Sequence, residues 1–144
     1  MTRRTIGIIV NGVTGRMGYR QHLVRSLLAI REQGGLPLAD GSRLWPELTL
    51  VGRNEAKLVE IANRHGLSDW TTDLSAALAR PDLDIYFDAQ VTSQRAAAIK
   101  AAIEAGKHIY TEKPIAERLA GAVELAQLAD AAGVKHGVVQ DKLF

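Results

Sequence analysis

The stretch Thr5-Ile6-Gly7-Ile8-Ile9-Val10-Asn11-Gly12-Val13-Thr14-Gly15-Arg16-Met17-Gly18 decides the fold. Thr5–Val10 is continuously rather than alternately apolar, the pattern of a strand buried on both faces. Asn11-Gly12 breaks the run. From Arg16 to Gln33 the spacing predicts a helix, with Met17, Leu23, Val24, Leu27, Leu28 and Ile30 favouring one side. Between strand and helix lie three glycines spaced Gly-x-x-Gly-x-x-Gly. Gly12 lets the chain turn without a side-chain clash. Gly15 lets backbone approach a bound group, and Gly18 lets the helix lie close to the strand. The free N–H groups and the dipole at the helix start favour an anion.

A glycine turn in this setting is where a dinucleotide pyrophosphate binds, although the spacing departs by one residue from Gly-x-Gly-x-x-Gly. The other reading is a turn that serves packing alone. On the first reading Gly12, Val13, Thr14, Gly15, Arg16 and Met17 are candidate cofactor-binding residues.

The rest of the chain repeats the rhythm of short strand, turn and helix. Gly34–Pro46 reads as a loop and Leu48–Val51 as a second strand. Asn54 caps a helix ending near His65 and Gly66. Asp69–Thr72 is a short third strand, and Asp73 caps a helix over Leu74–Ala79. Asp84–Phe87 is a fourth strand, Thr92–Ala105 an alanine-rich helix, and His108–Thr111 a fifth strand. Glu117–Ala132 is a helix with Leu119, Ala122, Val123, Ala126 and Ala129 in register, and His136–Val139 a sixth strand. Strands alternating with helices imply an α/β fold: a doubly wound parallel sheet in three αβα layers. The expected strand order is 3-2-1-4-5-6, the Rossmann order, with a ligand crevice at the carboxyl ends of strands 1 and 4.

Composition agrees. The 144 residues are 47% hydrophobic and 24% charged, a globular balance for one domain spanning 1–144. Cysteine is absent, so there is no disulfide framework and no thiolate nucleophile. The apolar run after Met1-Thr2-Arg3-Arg4 is too short for a signal peptide or a bilayer span. A cytoplasmic protein without a membrane partner is expected. The net charge of +2 is carried by scattered Lys and Arg without interleaved aromatics, which argues against nucleic acid as a partner. The four histidines form no metal-ligand cluster in sequence, and no metal is expected.

At the end of the second strand an NAD enzyme usually places Asp or Glu on the ribose hydroxyls. Here Val51-Gly52-Arg53-Asn54 stands in that place. Arg53 suits a 2′-phosphate, so NADP(H) is expected over NAD(H), which stays possible. The alternative is a solvated surface arginine. Arg53 and Asn54 join the candidate cofactor residues. Arg53 comes much later after Gly12 than the usual spacing of about 20 residues, the excess lying in a long helix and the Gly34–Pro46 loop. Trp45 in that loop reads as packing on the sheet edge, with a lid over the adenosine as the lesser alternative.

The fifth strand carries the second strong feature, Ala105-Gly106-Lys107-His108-Ile109-Tyr110-Thr111-Glu112-Lys113-Pro114. A Gly-Lys-His run followed after three residues by Glu-Lys-Pro resembles the Gfo/Idh/MocA family of oxidoreductases. The resemblance extends from the glycine loop to Val138-Val139-Gln140-Asp141-Lys142-Leu143-Phe144. It implies a Rossmann domain that binds NAD(P), followed by an α+β domain that supplies most of the substrate site and the homo-oligomer interface. It implies hydride transfer between nicotinamide and a sugar, polyol or related substrate. By resemblance Lys113 is the catalytic residue, near the nicotinamide and the reacting oxygen, where its ammonium stabilises negative charge. Glu112 orients the lysine or the nicotinamide ribose, and Pro114 follows a cis bond. The plain alternative for Lys113 is a surface pair with Glu112.

Two departures stand out. Where members carry Thr-Pro-x-x-x-His, this chain has Asp88-Ala89-Gln90-Val91-Thr92-Ser93-Gln94-Arg95, and the histidine position falls on Arg95. Gln90, Val91 and Thr92 are the candidates for the nicotinamide ribose. The second domain, with its Asp–His acid/base pair, is expected after residue 144 and is absent from this chain. The chain alone is therefore expected to bind cofactor and turn over poorly. Thr14-Gly15-Arg16-Met17-Gly18 also resembles the loop of dihydrodipicolinate reductase, whose histidine-rich segment is missing. A non-enzymatic NAD(P)-binding regulatory domain is the rival from another class.

Overall fold

The computed structural model describes residues 2–140. Asp141, Lys142, Leu143 and Phe144, part of the tail that carried the resemblance, lie outside the described residues.

Strand β1 (Arg3–Asn11) is longer at both ends than the expected Thr5–Val10. It pairs in parallel with β3 (Arg43–Val51) from Arg3↔Arg43 to Asn11↔Val51. Arg43–Pro46, expected in the loop, thus belongs to a strand. Pro46 is tolerated there because its missing N–H is no loss. Leu50, of the same strand parity, donates outward to Asp69 O at 3.0 Å, away from β1. On that outer side the antiparallel β2 (Leu36–Pro37) has ended at Leu44, and β4 (Trp70–Thr71) begins only at Leu50. Arg43 closes the loop by donating to the carbonyls of Gln33 (2.7 Å), Gly34 (2.7 Å) and Gly35 (2.5 Å). Trp45 lies near the amino end of β3 under Arg3, whose guanidinium carbon is 3.7 Å from the ring centroid. It is therefore at the opposite end of the strand from Arg53, and the lid alternative is overturned.

The first helix, α1, also differs. Gly18–Leu28 is wound with wide π-type hydrogen bonding and passes into one α-helical turn, Ala29–Glu32. Wider winding shifts side chains off the 3.6-residue period. Of the expected stripe only Leu23 is fully buried, whereas Met17 is 39% exposed. Then follow α2 (Glu55–His65), α3 (Leu74–Leu78), β5 (Ile85–Asp88), α4 (Thr92–Glu104), β6 (His108–Thr111), α5 (Leu119–Ala132) and β7 (His136–Val138). On α5 the buried residues are Leu125 and Ala129, which pack toward α4. Leu119 and Val123 of the expected stripe are exposed.

Apart from the added β2, the strands run β4-β3-β1-β5-β6-β7, all parallel. That is the expected 3-2-1-4-5-6 Rossmann order. Ile9 of β1 joins a core with Ile99, Ala102 and Ile103 of α4, while Ile8 and Val10 join a second core with Leu23 and Leu58. Apolar side chains on both faces of β1 hold the helical layers to the sheet. No described helix is long and apolar enough to cross a membrane.

Candidate functional site

The carboxyl ends of β1, β3, β5 and β6 meet in register at Asn11, Val51, Asp88 and Thr111. Above them is a crevice of about 150 Å3 lined by Asn11, Gly12, Thr14, Gly15, Gly52, Arg53, Ala89, Gln90, Val91 and Gln94. Gly12 has φ 84°, and a Cβ there would come within 2.6 Å of the Ala89 carbonyl carbon. A Cβ on Gly18 would lie 2.3 Å from Gly12 O. Both glycines are demanded by the chain itself.

Gly15 is different. A Cβ there would meet only Gly12 O, at 3.4 Å, and otherwise open space. Nothing in the protein requires a glycine at this position on the crevice wall beside the start of α1. The open cradle fits a bound pyrophosphate, because backbone N–H groups at a helix start can then approach the anion. The residues present thus fit a dinucleotide.

The structure brings Gly12, Thr14, Gly15, Arg53, Gln90 and Val91 to one crevice. The remaining candidates are placed differently. The Val13 side chain is fully buried in the core, so only its backbone can face a ligand. Arg16 lines a neighbouring groove of about 390 Å3 with Tyr19, Arg20, Lys57 and Arg64. The Asn54 side chain is committed to α2, where it accepts from Lys57 N at 3.0 Å. Thr92 opens α4. Lys113 is exposed in the turn after β6, and its bond to Pro114 is cis.

Glu112 and Met17 face a separate cavity of about 620 Å3 between α1 and the sheet, which is walled mostly by apolar side chains such as Ile85, Phe87, Tyr110 and Val139. There the Glu112 carboxylate pairs with His22 Nε2 at 2.5 Å, and the His22 ring packs on Phe87 with centroids 4.5 Å apart. The other Glu112 oxygen accepts from Lys113 N at 3.1 Å, so this carboxylate braces the lysine's backbone. The other histidines also have protein partners: Tyr19 for His65, Lys135 N for His108 and Asp130 for His136. Among the described residues no group of acidic or His side chains is arranged to hold a metal.

Several buried polar residues with large structural roles were not singled out as site residues from the sequence. Asp88, fully buried at the end of β5, accepts from Tyr86 Oη (2.6 Å), Gln90 N (3.0 Å), Gln90 Nε2 (2.8 Å) and Arg95 Nε (3.1 Å). Tyr86 in turn accepts from Asn11 Nδ2 at 2.9 Å. Burial, then the Asp88 charge, push the Tyr86 phenol far above its ordinary range, so it stays a proton donor. The readable signal for Arg95 was its helical register with Ala98, Ile99, Ala102 and Ile103, which puts a charge on a buried face. Lys107 of the Gly-Lys-His run is structural: it is buried, and its ammonium donates to the carbonyls of Arg80 (2.6 Å) and Leu83 (2.7 Å).

Known proteins resemble this chain in sequence and fold. The chain is 54% identical over 145 residues to D-xylose dehydrogenase of Paenarthrobacter nicotinovorans, covering 100% of this chain and 37% of that protein. It resembles the solved WlbA dehydrogenase of Chromobacterium violaceum, bound to NADH and UDP-GlcNAcA, with TM-score 0.73 and 26% identity, over 96% of this chain and 36% of that one. It also resembles biliverdin reductase of Synechocystis, bound to biliverdin and NADP+, with TM-score 0.68 and 25% identity, over 93% of this chain and 37% of that one. The chain thus spans little more than a third of each of these three proteins. Residues 6–140 match the family model described as an oxidoreductase family with NAD-binding Rossmann fold, and the chain belongs to that family, Gfo/Idh/MocA.

Proposed function

We propose that this chain binds NADP(H) in the crevice and forms the cofactor half of an enzyme that moves hydride between nicotinamide and a sugar-like hydroxyl or carbonyl carbon. The observation that carries this is the open cradle at Gly15, glycine where the chain itself needs none, facing the same crevice as Arg53 and Gln90. The dinucleotide, when bound, supplies the hydride donor or acceptor carbon.

The residues have separable tasks. Backbone N–H groups of Val13, Thr14 and Arg16 hold the pyrophosphate, while the Gly15 N–H donates to Gly12 O at 3.1 Å and closes the turn. Arg53 pairs with the 2′-phosphate, and Arg16, Arg20 and Lys57 add positive potential in the adjoining groove. Gln90, Val91 and Thr92 border the nicotinamide ribose. Lys113, braced through Glu112, offers its ammonium to the oxygen of the reacting carbon, where charge changes during transfer. A sugar as substrate is supported by the 54% identity to a D-xylose dehydrogenase. The rest of the substrate site, the acid/base pair and a homo-oligomer interface belong to a second domain following residue 144.

Calorimetric titration of the chain with NADPH and NADH tests the reading. Saturable binding, tighter for NADPH and lost in Gly15→Val with the fold intact, is the expected result. Tighter NADH binding would overturn the NADP(H) assignment, and binding unchanged in Gly15→Val would move the site elsewhere.

A further inference from the structure

Arg95 is 3% exposed on a helix face otherwise made of alanine and isoleucine. Taking a guanidinium out of water is costly, and a well-packed apolar side chain would often serve stability as well. All three guanidinium nitrogens nevertheless donate. Nε donates to Asp88 Oδ1 at 3.1 Å, at the end of β5. Nη2 donates to Gln90 O at 2.5 Å, in the loop that lines the crevice. Nη1 donates to Pro114 O, in the turn that carries Lys113. Three acceptors, at the end of β5, in the loop after it and in the turn after β6, are held by one rigid planar group. Asp88 secures the same loop from the other side by accepting from both nitrogens of Gln90.

We propose that Arg95 is a positioning residue that fixes the spacing between the Gln90 loop and the Lys113–Pro114 turn, and so holds open the nicotinamide end of the crevice. The inference rests on the cofactor reading above. It differs from a role in general stability because it predicts an effect on one half of the ligand only. The glycine loop and Arg53, which face the adenosine and pyrophosphate half, make no hydrogen bond to Arg95.

The test compares a whole dinucleotide with its nicotinamide-free part. Wild type, Arg95→Lys and the double variant Asp88→Asn/Arg95→Gln are titrated with NADPH and with 2′-phospho-ADP-ribose, or with NADH and ADP-ribose if NADH binds more tightly. Circular dichroism melts accompany each titration. The double variant leaves no unpaired buried charge. Arg95→Lys keeps a cation on Asp88, but a single ammonium cannot span the Gln90 and Pro114 carbonyls. Both are expected to weaken the dinucleotide roughly tenfold, the scale of a lost well-placed hydrogen bond, and to change the fragment by less than about twofold. The fluorescence of bound reduced nicotinamide should shift toward that of the free form. Equal weakening of both ligands, or of neither, in a folded variant overturns the role of Arg95. Wild type that binds neither ligand overturns the cofactor reading itself, a result distinguishable from the first.

Discussion

Gly15 and Gly18 lie three residues apart in one motif and answer to different demands. Gly18 is required by Gly12 O, only 2.3 Å from where a Cβ would stand, whereas Gly15 has open space. Gly18→Ala is therefore expected to cost about 2 kcal/mol, a fall in Tm of roughly 5 °C, by thermal denaturation. Gly15→Ala should leave Tm within about 1 °C and weaken the dinucleotide instead. Arg53 is exposed and lines the crevice, so Arg53→Glu should leave folding unchanged. It should weaken NADPH roughly 10- to 100-fold while leaving NADH nearly as before, because a charge-assisted contact is replaced by repulsion. Equal loss of the two cofactors would deny Arg53 a part in selecting the phosphate. The glycine roles were legible because their spacing between a strand and a helix is a local signal, although the Ala89 backbone that Gly12 must clear comes from just past the far end of β5. The Asp88–Arg95 pair was not read as a site, because its partners Gln90 and Pro114 come together only when β5 and β6 pair.

Element boundaries followed the sequence where a local signal ends them. The expected span His108–Thr111 is the observed strand β6, and α2 runs from its Asn54 cap to Gly66 in the left-handed conformation. Asn54→Ala should lower stability by about 1 kcal/mol, and Asn54→Asp should restore it, read by chemical denaturation. A loss of cofactor affinity in Asn54→Ala without loss of stability would instead make Asn54 a ligand contact. The misses have nonlocal causes. The early start of β3, and Pro46 within it, follow from nine-residue pairing with β1 and from the gap between β2 and β4 on the outer side. The π-type winding of α1 left no mark in a pattern read at 3.6 residues per turn. On α5, apolar residues at helical spacing did not reveal which face meets α4, and Leu119 remains 81% exposed.

At the scale of the whole molecule, strand order was readable because continuous apolar runs, helical connections and right-handed crossovers leave few layouts. The resulting sheet aligns Asn11, Val51, Asp88 and Thr111 at one edge, so the glycine loop, Arg53 and the Gln90 loop meet at one crevice without any long loop to carry them. The same sheet leaves a cavity of about 620 Å3, much the larger opening, beside α1. Size favours that cavity as a ligand site, whereas the open glycine cradle, the helix start and Arg53 favour the smaller crevice for an anionic dinucleotide. Amide shift mapping by NMR on the nitrogen-15-labelled chain, titrated with NADPH, decides between them. The account predicts the largest shifts at Gly12, Thr14, Gly15, Arg53 and Gln90, with little change at Gln21, Ser26, Leu27 and Ile85 around the larger cavity. Shifts concentrated around that cavity, with the glycine loop unmoved, would contradict it.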